Sequence, residues 1–233
     1  MSKTLKITYE YEDGQKYIGE YYETEDGYVW HGKGRMTYEG INKGTIYWGN
    51  WEEGHYHGKG TLILPDGEKY VGNFQYGMPK GRGRSTYVDG SKYVGEHSEG
   101  YRHGKGVCNL KNGDKYLGEF ANDHFHGQGT YVWENGDKYV GEWKNNLRDG
   151  YGTLTLLEKR ISRKRLSEKY QGYWKNDEKH GKGIFYNLLE KYAYIGSWKE
   201  GYPHGKGIIK YPETKQSPEW DEKVEYKMGE RVE

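Results

Sequence analysis

The chain has 233 residues, a formal net charge of +1, and only 33% hydrophobic residues beside 37 glycines and 26 tyrosines. That balance excludes a large apolar core and provides no global field for nucleic acid or acidic membranes. The single cysteine, Cys108, has no internal disulfide partner and fits a reducing compartment, and no stretch approaches the roughly 20 apolar residues of a membrane span.

A chain this polar could be disordered, but aromatics make up 16% of it and recur on a fixed period, which argues for order. Met1–Glu10 holds no apolar signal core, so a soluble cytoplasmic protein is expected. Leu5, Ile7, Tyr9 and Tyr11 alternate with polar residues, the period of a half-buried strand. Glu12-Asp13-Gly14 follows as a tight turn, and the signal recurs at Asp66-Gly67, Asp89-Gly90, Asn112-Gly113 and Asn135-Gly136. After each comes a strand of the form Tyr-x-Gly-x-aromatic, with His97 in the aromatic place once.

The anchors of these strands are Tyr17, Tyr47, Tyr70, Tyr93, Tyr116, Tyr139, Tyr170 and Tyr194, at successive gaps of 30, 23, 23, 23, 23, 31 and 24. Self-similarity at a fixed period is the mark of a repeat architecture. There are eight repeats, with insertions in the first, between Tyr21 and His31, and in the sixth. The strings YWGNWEEGHYHGKG from Tyr47 and YIGSWKEGYPHGKG from Tyr194 resemble the MORN repeat, and the resemblance covers roughly residues 5 to 211. Lys80 and Asp149 depart from the motif's histidine, as His97 does from its aromatic.

Each repeat reads as a β-hairpin. The expected fold is all-β, an elongated single-layer antiparallel meander of about 16 strands in which neighbours contact only neighbours. The array spans residues 1–211, with an insertion at 157–169, and 212–233 form a cap or tail. On the pleat, Tyr139, Gly141 and Trp143 share one face, and so do Gly127, Gly129, Tyr131 and Trp133. The other face reads Lys-x-Val-x-Glu, as at Lys138, Val140 and Glu142. A single sheet should leave aromatic surface open in a groove, and such patches mark interaction sites. Tyr47, Trp51, Tyr70, Phe74, Tyr93, Tyr116, Phe120, Tyr139, Trp143, Trp174 and Trp198 are therefore the expected protein-binding residues.

The insertion of the sixth repeat carries Lys159, Arg160, Arg163, Lys164 and Arg165 on a projecting tip, a docking site for an acidic partner or anionic lipid. Lys159-Arg160-Ile161-Ser162 and Lys164-Arg165-Leu166-Ser167 are similar to basophilic kinase targets, which makes Ser162 and Ser167 phosphorylation candidates. Beyond Tyr211 the period fails. Ser217-Pro218 reads as a helix start, and Trp220, Val224 and Met228 share a helical face. Val224, Tyr226 and Met228 equally alternate as a strand, but a short helical cap is the preferred reading.

No catalytic, cofactor or metal site is expected. His57, His103, His126, His180 and His204 stand a whole repeat apart, and Cys108 occupies a slot filled elsewhere by Leu62, Tyr131, Leu154 and Phe185. Resemblance to MORN proteins implies a scaffold for other proteins. Some relatives add a catalytic domain, for which about 20 residues outside the array are too few. Stand-alone arrays resemble radial spoke head and other cytoskeletal MORN proteins. The implied setting is therefore a cilium or flagellum axoneme, with partners from a large cytoskeletal assembly and homodimer formation open. Two alternatives are a peripheral adaptor for anionic phospholipids and an accessory subunit of an enzyme complex.

Overall fold

The computed structural model describes residues 5–159, 164–213 and 219–232. Nineteen strands occur among them, with one 3-10 turn at Gly40–Asn42 in the lengthened first repeat. They gather into two compact bodies: Met1–Lys111 with Phe120–Asp123, and Asn112–Glu119 with His124–Glu233. The first body holds β1 (Leu5–Glu10), β2 (Lys16–Thr24), β3 (Gly27–Thr37), β4 (Ile46–Glu52), β5 (His55–Ile63), β6 (Lys69–Gln75), β7 (Met78–Thr86), β8 (Lys92–Ser98) and β9 (Tyr101–Asn109). β10 (Lys115–Ala121) begins in the second body. The rest of that body is β11 (His124–Val132), β12 (Lys138–Lys144), β13 (Leu147–Lys159), β14 (Lys164–Lys175), β15 (Glu178–Asn187), β16 (Tyr192–Lys199), β17 (Tyr202–Tyr211), β18 (Trp220–Lys227) and β19 (Glu230–Val232).

Within each body consecutive strands pair antiparallel, in a meander that is not closed into a barrel. β2 to β17 are the eight expected hairpins; β1, β18 and β19 are additional. The turns between repeats close as read from the sequence. The Asp66, Asp89, Asn112 and Asn135 side chains each accept the backbone N–H two residues on, at 2.8–3.1 Å.

The core is a ladder of rings. Anchor tyrosines such as Tyr47, Tyr70, Tyr139 and Tyr170 lie edge-to-face between the +4 ring of their own repeat and that of the next. Tyr47 sits 5.2 Å from both Trp51 and Phe74, and Tyr170 sits 5.1 Å from both Trp174 and Trp198. Seven of the hairpins carry a register shift just after the glycine of Tyr-x-Gly, as between Gly49 and Asn50. The shift frees a carbonyl, and the anchor hydroxyl donates to it. Tyr47 bonds Asn50 O at 2.7 Å, Tyr93 bonds Glu96 O at 2.8 Å, and Tyr116 bonds Glu119 O at 2.9 Å. That bond is why the anchor is tyrosine and not phenylalanine. Burial pushes these phenols above their ordinary range, Tyr70 to about 12, so they stay neutral.

This packing corrects the expectation of an open aromatic groove. Tyr47, Trp51, Tyr70, Phe74, Tyr93, Tyr116, Phe120, Tyr139, Trp143, Trp174 and Trp198 are all 0–7% exposed. One layer suffices because the anchor tyrosines lie flat on the sheet, over bare glycine backbone, and are roofed by a residue nine positions later, or thirteen in the lengthened first repeat. Tyr56 stacks on Tyr47 at 3.7 Å, Phe125 on Tyr116 at 3.9 Å, and Trp30 on Tyr17 at 4.0 Å. The same slot holds Arg102, Arg148 and Lys179, whose cations stand 4.3–6.0 Å from the neighbouring rings.

The two glycines of Gly-x-Gly also differ. A Cβ on Gly129 would meet the Tyr116 hydroxyl at 2.3 Å, so this glycine seats the ring. Gly127 instead has a left-handed φ of +54° and faces Glu119, so it serves the backbone and not the ring.

The helical cap is likewise overturned. Residues 220–227 form β18, paired with β17 from Gly205↔Tyr226 to Tyr211↔Trp220; Ser217 and Pro218 lie outside the described residues. The strand wins because the last repeat lacks a following +4 ring. Tyr226 supplies it, 5.5 Å from Tyr194, while Trp220 stacks on Tyr211 at 4.2 Å. A helix would leave both β17's edge and that ring slot open.

Candidate functional site: the face opposite the rings

With the anchor and +4 rings buried, the opposite face carries exposed apolar side chains. Its central row consists of the residues that follow each anchor, paired across strands. In the first body the row runs Ile18↔Arg35↔Trp48↔Thr61↔Val71↔Arg84↔Val94↔Val107. Ile18, Trp48, Val71 and Val94 are exposed, and arginines interrupt them. In the second body it runs Thr130↔Val140↔Thr153↔Gln171↔Ile184↔Ile195↔Ile208↔Lys223. Here three isoleucines are consecutive. Around them opens a groove of about 840 Å³, also lined by Tyr151, Tyr173, Lys182, Lys206 and Glu225. Tyr151 and Tyr173 stand edge-to-face at 5.3 Å and are 43% and 52% exposed. The sequence marked part of this row as the valine of the Lys-x-Val-x-Glu face, as at Val140; the three isoleucines lie on strands without that pattern, and period-2 alternation was the signal that could have found them.

The basic insertion is two hairpin arms. β13 and β14 stay in register to Lys159↔Lys164, with an irregularity between Leu156 and Leu157. Arg160, Ser162 and Arg163 lie outside the described residues, as do the side chains of Lys159, Lys164 and Arg165. Ser167 is within β14, and its hydroxyl donates to the Leu156 carbonyl at 3.1 Å. A phosphate there would replace a cross-strand bond.

The histidines and the cysteine are parts of the packing. His97 is buried in the +4 slot, its ring 4.8 Å from Tyr70 and 5.0 Å from Tyr93, with Nε2 3.0 Å from the Ser85 hydroxyl. Burial holds its pKa below the ordinary imidazole value. Ser85 occupies the slot that holds Leu62 and Cys108 in neighbouring repeats, so the two polar substitutions answer each other. Cys108 is buried, and burial raises its thiol pKa. Among the described residues no three His, Cys, Asp or Glu side chains converge as metal ligands.

Inter-repeat clamps complete the frame. Arg148 donates from Nε to Asp177 Oδ1 and from Nη2 to Asp177 O, each at 2.8 Å, while its guanidinium covers Trp174 at 4.3 Å. Arg102 holds Asp123 in the same way.

The MORN repeat model matches residues 47–69, 70–92, 93–115, 116–138, 139–156, 170–187 and 194–213. The chain belongs to the MORN-repeat family. The hairpin anchored at Tyr17 lies outside those matches, although its ring packing follows the same plan. As MORN repeats are structural adaptor modules, the array is a non-catalytic scaffold for binding other proteins. No curated protein matches the chain. Among solved structures it is similar to the SAS-4 (dCPAP) TCP domain of Drosophila melanogaster, determined in complex with a proline-rich motif of Ana2 (dSTIL). That likeness has 15% identity and a TM-score of 0.35, and covers 69% of this chain and 88% of the other. No helix among the described residues is long and apolar enough to cross a membrane.

Proposed function

We propose that this MORN protein is a structural scaffold of a cytoskeletal assembly, with the axoneme of a cilium or flagellum as its setting. The observation that carries the reading is the division of labour between the faces. The anchor and +4 rings are used up in the core, while the opposite face carries an apolar cross-strand row, with Ile18, Trp48, Val71 and Val94 exposed in the first body and Ile184, Ile195 and Ile208 half-buried in the second. Contiguous exposed apolar surface is costly in water unless a partner covers it. The cytoskeletal setting rests on the resemblance of stand-alone arrays to radial spoke head and cytoskeletal MORN proteins. Proximity labelling in a ciliated cell tests it, and enrichment of axonemal proteins is the expected result. A labelled set dominated by membrane-trafficking proteins, together with pelleting on phosphoinositide vesicles, would favour the lipid-adaptor alternative.

A further inference from the structure

The scaffold reading names a face but not what lies on it. We propose that the isoleucine row of the second body docks an acidic amphipathic α-helix of a partner protein, a proposal that deepens the scaffold reading. Three observations converge. Ile184, Ile195 and Ile208 are direct cross-strand partners on β15, β16 and β17, so their side chains repeat at the strand spacing of about 4.8 Å. A helix lying across the strands presents apolar side chains every turn, at about 5.4 Å. An extended segment presents them every second residue, at about 6.6–6.8 Å, and falls out of step after one contact. The row's period therefore selects a helix.

The groove also has ends. The Tyr151–Tyr173 pair stands at one, and Val232 lies at the other. The third observation is charge. Lys182, Lys206 and Lys223 border the isoleucines, and Glu225 is the only carboxylate among the lining residues. Lys182 Nζ donates to Ser197 Oγ at 2.9 Å, which holds this cation at the rim. Acidic side chains flanking the helix's apolar stripe complement that rim, whereas basic ones meet like charge. In the first body Arg35 and Arg84 break the equivalent row, so docking belongs to the second body.

The test uses the full chain and fluorescent helical peptides of about 18 residues, roughly five turns. One peptide carries a leucine stripe flanked by glutamates, a second replaces glutamate by lysine, and a third scrambles the acidic one. Fluorescence anisotropy should show the acidic helix binding at least about ten-fold tighter than either control. Ile195→Glu should abolish that binding and Ile195→Leu keep it. Lys206→Glu with Lys223→Glu should reverse the preference in favour of the lysine peptide. Lys206 and Lys223 are exposed and Ile195 is half-buried, and unchanged thermal melts will confirm that the variants fold. Equal binding of all three peptides, or unchanged binding to Ile195→Glu, overturns the proposal. Capture of phosphatidylserine vesicles in place of the peptide does so too. Because the peptides are synthetic, failure here leaves the cytoskeletal setting standing, and failure of the proximity labelling leaves the groove standing.

Discussion

At the residue scale the repeat is built on one close contact, a tyrosine ring lying on glycine with its hydroxyl donating to the carbonyl three residues on. Tyr116→Phe keeps the ring but leaves Glu119 O without its donor, and it should cost about 1–3 kcal/mol by urea unfolding. Gly129→Ala pushes a methyl into that buried ring and should cost about 1–3 kcal/mol or more. Gly127 answers to backbone conformation, so Gly127→Asn should be milder than Gly127→Val, a difference that ring displacement alone would not produce. His97 adds a pH dependence. Its folded pKa is depressed, so below pH 6.5 the unfolded chain takes up a proton that the folded chain resists. Stability should therefore fall as pH drops from 6.5 towards the lower folded value. His97→Phe with Ser85→Leu should remove that component and exceed either single variant in melting temperature, since each single variant strands one polar partner.

At the scale of elements, hairpins are fastened by the residue that roofs each anchor tyrosine. Where that residue is arginine it also reaches the turn of the following hairpin. Arg148 covers Trp174 and forks onto both the carboxylate and the carbonyl of Asp177. A lysine ammonium is a point charge and cannot span both acceptors in one plane. Arg148→Lys should therefore lower the melting temperature nearly as much as Arg148→Ala. A melting temperature equal to that of the parent protein would show that charge alone holds the turn.

At the scale of the molecule, no hairpin encloses its own rings. Tyr139 needs Trp174 from the next repeat, Tyr170 needs Trp198, and Tyr194 needs Tyr226 from β18. A peptide of residues 116–138 should accordingly be unfolded by circular dichroism, while the full chain melts as ordered β-structure. The same dependence makes Tyr226→Ala a lesion of the last repeat, visible as early loss of amide protection in β16 and β17.

The 23-residue period, the turn residues and the Tyr-x-Gly-x-aromatic strands are local signals, and they determined the family, the hairpins and the antiparallel order without any coordinates. What they could not determine was which surface stays open. Alternation assigns residues to two faces but does not say that rings lying flat over glycine, roofed from the return strand of their own hairpin, can be buried without a second layer. The identity of the cap escaped for a related reason. Trp220, Val224 and Met228 fit a helical period while Val224, Tyr226 and Met228 fit a strand's, and only the ring slot beside Tyr194 and the edge of β17 decide between them. The isoleucine row was hidden as well, because Ile184, Ile195 and Ile208 are far apart in the chain and meet only through strand register.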